Sequence, residues 1–277
     1  MITTAVIMAA GMGTRFGERT ETMPKGFIPF KGKSMVERSI DNLISSGIKK
    51  IIVGTGYHRE WYERLAIKYS EIITVFSPLF AETNSMETLS RCSDAIGGDD
   101  FLLLESDIVY AKKALALLLE APKEDIMLVT PVTKFQDQYY IGTDSNSYLK
   151  KCSTEREAII KETGKEPVGE LVGIHKISNK FYRDMLEIYE YTKSLYRCGK
   201  HLPNPEKTGY EFFLEDVATW QPFAANFVGE DGSMLTLPSG GISKARDLFV
   251  LIENGLQWYE IDDVEDLKFA ESHILID

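Results

Sequence analysis

The chain alternates between two periodicities, and that alternation limits what it can fold into. Apolar runs recur at Ala5–Met8, Ile51–Val53, Ile72–Phe76, Phe101–Leu104 and Ile126–Val129. Between them, Met35–Ser46 (closed by Gly47), Arg59–Tyr69, Met86–Ala95 and Ala111–Glu120 carry apolar residues at helical spacing. Strands that are apolar throughout, separated by helices, require a mainly parallel mixed sheet flanked by helices on both faces. The fold class expected is therefore α/β, and ligands of such sheets sit beyond the carboxyl ends of the strands.

The alternation breaks near residue 134. Tyr139–Thr143, Tyr148–Cys152 and Glu170–Lys176 read as strands of a second, mixed region. Glu155–Thr163 is charged and reads as a mobile loop. Ser178–Tyr196 and Tyr210–Thr219 read as helices, with Gly199–Lys207 as an exposed connection. Residues 255–262 return to a strand, and Val264–His273 closes the chain as a helix.

Bulk properties exclude several classes. A length of 277 residues suits one large α/β domain or two small ones, and 44% hydrophobic residues can fill a core. There is no run of 18 apolar residues, so no membrane insertion is expected, and the N-terminus enters a strand without signal-peptide shape. Cys92, Cys152 and Cys198 are odd in number and widely spaced, which suits a reducing, cytoplasmic setting and gives neither disulfide framework nor zinc site. A net charge of −11 argues against a nucleic-acid partner.

The first strand runs into Met8-Ala9-Ala10-Gly11-Met12-Gly13-Thr14-Arg15-Phe16-Gly17, then Met23-Pro24-Lys25-Gly26. Glycines without Cβ let backbone approach a ligand, and successive N–H groups in such a turn favour an anion. Residues 1–33 hold Arg15, Arg19, Lys25, Lys31 and Lys33 against Glu18 and Glu21. A basic loop on an acidic chain suggests a phosphate site; the alternative is a plain strand-to-helix turn. A dinucleotide fingerprint would need glycine where Phe16 stands, and the second strand runs into Gly54-Thr55-Gly56 rather than an acid. The P-loop pattern is absent too.

Ala-Ala-Gly-x-Gly-Thr-Arg followed by Pro-Lys-Gly resembles the signature of nucleotidyltransferases with a GT-A-like, Rossmann-like fold. The resemblance continues at Asp107 and Trp258–Leu267, and so spans nearly the whole chain. It implies a single domain over 1–277, with a nucleotide-binding half (1–133) and an acceptor-binding half (134–277) that completes the sheet and metal site. It implies that Ala9, Ala10, Gly11, Gly13 and Thr14 bind nucleotide, with Lys25 and Arg15 catalytic.

Two acidic stretches complete the pattern. Phe101–Leu104 runs into Glu105-Ser106-Asp107, placing Asp107 at the ligand-binding rim. In an arbitrary protein Asp107 would be a strand-end turn residue; the resemblance makes it a magnesium ligand. In Trp258-Tyr259-Glu260-Ile261-Asp262-Asp263, a strand would put Glu260 and Asp262 on one face, about 6.6 Å apart. Asp263 would face away and cap the last helix. Asp107, Glu260 and Asp262 form an oxygen-only set suited to Mg²⁺, or else a solvated acidic face. Sugar-1-phosphate members usually carry aspartate at the Glu260 position and glycine at the Asp262 position. The Glu-Ile-Asp-Asp version looks more like the phosphocholine and 2-aminoethylphosphonate cytidylyltransferase branch.

Asn84 or Ser85 caps the helix before the Phe101 strand, with Glu87 completing a capping box. In the resembled branch this segment also contacts base and ribose, so Asn84 and Ser85 are nucleotide-binding candidates, with Gly56 and Tyr57 weaker ones. An ammonium-bearing acceptor wants aromatic faces and carboxylates, which Tyr139-Tyr140 and Tyr210-Glu211-Phe212-Phe213-Leu214-Glu215-Asp216 offer, with Tyr139, Tyr210 and Asp216 as the acceptor candidates; Phe212, Asp216 and Trp220 share a helix side, as core residues also would. Lys150 and Lys151 are candidates for the acceptor's phosphoryl group, or plain surface lysines.

The expectation is a Mg²⁺-dependent cytidylyltransferase that joins CMP from CTP to 2-aminoethylphosphonate, or next to phosphocholine, with release of pyrophosphate. The partners would be CTP and that small acceptor; a homodimer, and a longer multidomain chain beyond Asp277, stay open. The nearest alternative is a sugar-1-phosphate nucleotidyltransferase. A nucleotide-binding regulatory module is disfavoured by the presence of Lys25 and Asp107, and an NAD-dependent oxidoreductase by Phe16 and Gly54–Gly56.

Overall fold

The computed structural model describes residues 1–133, 138–199, 202–219 and 245–276. In chain order, the first half holds β1 (Thr4–Ala9), β2 (Pro29–Phe30), β3 (Lys33–Ser34), α1 (Met35–Ser45), β4 (Lys50–Thr55), α2 (Arg59–Lys68) and β5 (Ile72–Phe76). It continues through α3 (Ser85–Arg91), α4 (Ser93–Ile96), β6 (Phe101–Glu105), β7 (Ile108–Tyr110), α5 (Lys113–Glu120) and β8 (Ile126–Thr130). The second half holds β9 (Tyr140–Thr143), β10 (Leu149–Ser153), α6 (Arg156–Thr163), β11 (Gly169–Ile177) and α7 (Asn179–Arg197). It ends with α8 (Tyr210–Thr219), β12 (Phe249–Ile252), β13 (Trp258–Glu260) and α9 (Val264–His273).

The main sheet runs β10-β9-β11-β6-β1-β4-β5, with β8 beside β11 and β12 beside β8. Its centre is parallel: β6, β1, β4 and β5 all point the same way. β11 joins β6 antiparallel and ties the second half to the first. Alternate residues of β1 face opposite sides. Val6 and Met8 pack with residues of α3, α7 and α8, whereas Ala5, Ile7 and Ala9 pack with residues of α1, α2 and α5. Helices thus cover both faces, as the two periodicities require.

A smaller cluster lies beyond the carboxyl ends of the central strands. Phe16, Ile28 and Phe30 from the glycine loop region meet Tyr259, Ile261 and Leu267 from the end of the chain. β13 pairs antiparallel with β7, Glu260 opposite Ile108. This packing brings residue 15 against residue 262.

Four local expectations need correction. Glu155–Thr163 is not a loop: α6 forms there because one apolar side chain, the buried Ile159, docks where Gly142 leaves room for it. Met86–Ala95 is not one helix but breaks at Cys92 into α3 and α4. The strand over 255–262 is confined to Trp258–Glu260, so Asp262 stands just past it. The connection over 199–207 is not wholly exposed, since Leu202 and Pro205 are buried. The three cysteines are free, and among the described residues no helix is long and apolar enough to cross a membrane.

Candidate active site

The loop after β1 is shaped by one glycine more than the other. Gly13 has φ +61°, a region costly for residues with Cβ, and an added Cβ would lie 2.9 Å from Lys25 Cβ. Gly11 has open space around it. Thr20 Oγ1 donates to the carbonyls of Gly13 and Gly17 at 3.0 and 3.1 Å and holds the loop closed. Lys25 begins a short 3₁₀ turn after the extended Pro24. Gly26 follows because a Cβ there would come within 3.2 Å of the Ser106 carbonyl and 3.0 Å of the Tyr62 hydroxyl.

The loop and the acids meet. Lys25 Nζ donates to Asp107 Oδ2 at 2.5 Å and to Asp262 Oδ1 at 2.7 Å. The half-exposed Arg15 donates to the same Asp262 oxygen at 2.7 Å. Burial alone would depress the Lys25 pKa, but the charges of Asp107 and Asp262, and their hydrogen bonds, outweigh it and hold the ammonium above the ordinary lysine range. Asp262 N donates to Asp266 Oδ2, and Asp263 caps α9 by accepting from Asp266 N, both at 2.9 Å. Asp263 is therefore structural, as expected.

Asp107, Glu260 and Asp262 each offer a carboxylate oxygen within 4.8 Å of the others. β6 carries the chain to Asp107, and Ile261 N donates to the Asp107 carbonyl at 3.0 Å, which sets the second acidic stretch beside it. Among the described residues, Asp107 Oδ1 is buried without a hydrogen-bond partner. An orphaned buried carboxylate oxygen among three hard oxygen donors fits a divalent cation such as Mg²⁺.

Two cavities flank these carboxylates. One, of about 230 Å³, is lined by Gly11, Gly13, Thr14, Arg15, Lys25 and Asp262 among others. The second, of about 250 Å³, is lined by Asn84, Ser85, Tyr139, Tyr210, Glu211 and Glu260 among others. Glu105 lines both. Ala9 is buried at the end of β1. The Ala10 carbonyl accepts from Tyr57 N at 3.2 Å, and Gly56 fits between that carbonyl and Phe80, where a Cβ would come within 2.6 Å of both.

Other expected residues fall elsewhere. Asn84 and Ser85 line the second cavity rather than the glycine-lined one, and are fastened to the chain before α8: Asn84 N donates to the Glu206 carbonyl at 2.8 Å, and Ser85 Oγ accepts from Tyr210 N at 3.0 Å. Asn84 does cap α3, but Glu87 forms no capping box; its carboxylate is turned to Arg91, Tyr189 and Lys193. Asp216 is buried on α8 and lines neither cavity. Lys151 is paired with Glu215 at 2.7 Å. Trp220 lies outside the described residues.

Sequence reasoning missed Glu105, and it took Glu211 only as part of the Tyr210–Asp216 stretch, with Asp216 as the candidate carboxylate. The signal for Glu105 was its position two residues before Asp107 at a strand end, a spacing that keeps side chains on one side. Burial, with Asp107, Glu211 and Glu260 nearby, pushes the Glu105 pKa well up, and burial raises that of Glu211 as well.

A cationic glycine loop facing carboxylates at the carboxyl edge of this sheet belongs to the nucleotidyltransferase class. The chain belongs to the family of MobA-like NTP transferase domains, matched over residues 5–176. It is 33% identical over 109 residues to the 2-aminoethylphosphonate cytidylyltransferase of Lancefieldella rimae, covering 39% of this chain and 44% of that protein. It is 30% identical over 105 residues to the choline-phosphate cytidylyltransferase of Haemophilus influenzae, again 44% of that protein. The chain thus spans less than half the length of these two relatives. The CTP:phosphoglutamine cytidylyltransferase of Campylobacter jejuni is 25% identical over 199 residues, 67% of this chain and 77% of that one. The solved CTP:phosphocholine cytidylyltransferase from Streptococcus pneumoniae shares the fold, with a TM-score of 0.65 over 98% of this chain and 99% of that one at 18% identity. So does the inositol-1-phosphate CTP transferase from T. maritima, with a TM-score of 0.69 over 99% and 96% at 16% identity.

Proposed function

We propose that this protein transfers the cytidylyl group of CTP to a small amine-bearing phosphonate or phosphate, with 2-aminoethylphosphonate ahead of phosphocholine. The observation that carries the reading is the convergence of Lys25, Asp107, Glu260 and Asp262 between a glycine-lined cavity and a second cavity rich in carboxylates and aromatic rings. An oxygen of the acceptor's phosphoryl group attacks the α-phosphorus of CTP. The bond from that phosphorus to the β-bridging oxygen breaks, and pyrophosphate leaves. Transfer of this kind depends on positioning and charge stabilisation.

The amides around Gly11–Thr14 and the half-exposed Arg15 hold the departing pyrophosphate. Lys25 meets charge that develops at the α-phosphate. Asp107, Glu260 and Asp262 would hold Mg²⁺, which supplies charge neutralisation between nucleotide and acceptor. Tyr139 presents an aromatic face, and Glu211 a carboxylate, to an ammonium group, with the fully buried Tyr210 in the cavity wall. No general base is needed, because the phosphoryl nucleophile is already ionised near neutral pH. The site is expected to work in the cytoplasm, where CTP is available.

The test is pyrophosphate release from CTP with each acceptor, with and without Mg²⁺. Release that requires both an amine-bearing acceptor and Mg²⁺ supports the reading; release only with sugar 1-phosphates replaces it. That second reading draws support from mannose-1-phosphate guanyltransferases among the relatives, one of them 28% identical over 144 residues.

A further inference from the structure

Glu105 ends β6 and lines both cavities, yet the roles above leave it unused. Its side chain is confined on two sides. Beneath it, β11 bulges: the register against β8 shifts between Leu171 and His175, and Gly173 takes φ +76°. A Cβ at Gly173 would lie 3.2 Å from Glu105 Cγ, so the glycine makes room for the acid. Beside it, the Tyr210 hydroxyl lies near the Glu105 carboxyl group.

Behind Tyr210 stands His175, on the same bulged strand and without solvent exposure. Its Nε2 lies 3.4 Å from the Tyr210 hydroxyl, and the two rings meet edge to face at 5.7 Å between centroids. Among the described residues, His175 Nδ1 has no hydrogen-bond partner. A neutral imidazole with its proton on Nε2 can donate to the phenol oxygen, which leaves the phenol proton for Glu105. A buried polar ring with a single interaction is costly unless that interaction matters.

We infer that Glu105 is the carboxylate that selects an ammonium-bearing acceptor, and that Tyr210 and His175 act as positioning residues for it. The inference rests on the reading of the second cavity as the acceptor pocket. Glu105 sits where that pocket opens toward the nucleotide, so an ammonium drawn to it stays close to the transferred group. Glu211 and Glu260 then flank the same ammonium rather than receive it alone. A site built to accept a hydrogen bond from a substrate N–H discriminates strongly against a ligand that lacks the donor.

The experiment compares 2-aminoethylphosphonate with 2-hydroxyethylphosphonate on the wild-type chain and on Glu105→Gln, Tyr210→Phe and His175→Phe. Calorimetric binding and pyrophosphate release from CTP are measured in parallel. Wild type is expected to favour the amine by about ten- to a hundredfold, the range of a charge-assisted hydrogen bond. Glu105→Gln should abolish that preference. Tyr210→Phe should erode it through KM for the amine, with kcat moved far less, a split that general destabilisation does not produce. Tyr210→Phe keeps the ring, so it remains informative if His175→Phe melts early. An undiminished amine preference in Glu105→Gln overturns the inference. If no acceptor is turned over but the calorimetric preference depends on Glu105, the transferase reading fails and this inference stands. If turnover with the amine proceeds and ignores Glu105, the reverse holds.

Discussion

The Lys25 ammonium lies 2.5 Å from Asp107 Oδ2 and 2.7 Å from Asp262 Oδ1, so it compensates two of the three carboxylates that a divalent ion would need. Lys25→Met removes that competitor. Binding of Mn²⁺ to the nucleotide-free protein, followed by electron paramagnetic resonance, is expected to tighten severalfold. Turnover should fall by about 10²–10³-fold, as for loss of a single transition-state donor. Unchanged Mn²⁺ affinity would show that the lysine and the ion do not share these oxygens.

Gly11 and Gly13 look equivalent in the sequence and are not equivalent in the fold. Gly13→Ala forces a side chain into the left-handed region and against Lys25. It should cost about 1–2 kcal/mol of stability and raise KM for CTP. Gly11→Ala meets nothing within 4 Å, so its melting temperature should stay near that of wild type. Any loss of CTP affinity in that variant then reports close approach of the nucleotide. Thermal melts with and without CTP separate the two.

His175 gives the fold an acid sensitivity of known sign. Burial pulls its pKa from 6.5 down to about 3. Between those values the unfolded chain binds a proton that the native chain refuses, so stability falls as pH drops through that window. Asp125 acts oppositely: burial raises it from 3.8 to about 6, so it favours the native state as pH falls through that range. The difference between wild type and His175→Phe isolates the histidine. The variant's melting temperature should decline less between pH 6.5 and pH 4; parallel curves would refute a neutral buried imidazole.

Glu87 carries structure rather than chemistry. Its carboxylate accepts from Tyr189 Oη at 2.5 Å and from Arg91 Nε at 2.9 Å, and sits 3.4 Å from Lys193 Nζ. Glu87→Ala leaves the buried Tyr189 phenol without its acceptor, while Lys193 keeps Glu190 at 3.0 Å, and should destabilise by about 1–3 kcal/mol in urea denaturation. A change under 1 kcal/mol would mean the network contributes little, as exposed pairs do.

The sequence by itself determined the strand–helix alternation, the cationic glycine loop and the acids that could serve it, because periodicity and backbone permissiveness are local properties. Asp107, Glu260 and Asp262 were legible as a set, and so was the cap at Asp263. The tertiary structure decided what local rules cannot reach. Pairing of β13 with β7 sets residue 262 beside residue 107. One buried isoleucine turns a charged stretch into α6, and a bulge at Gly173 opens space for Glu105. Asn84 and Ser85 come to the second cavity because the chain before α8 fastens them there. Each of these depends on which distant backbone lies alongside, a matter settled by packing across the sheet rather than by neighbours in the chain.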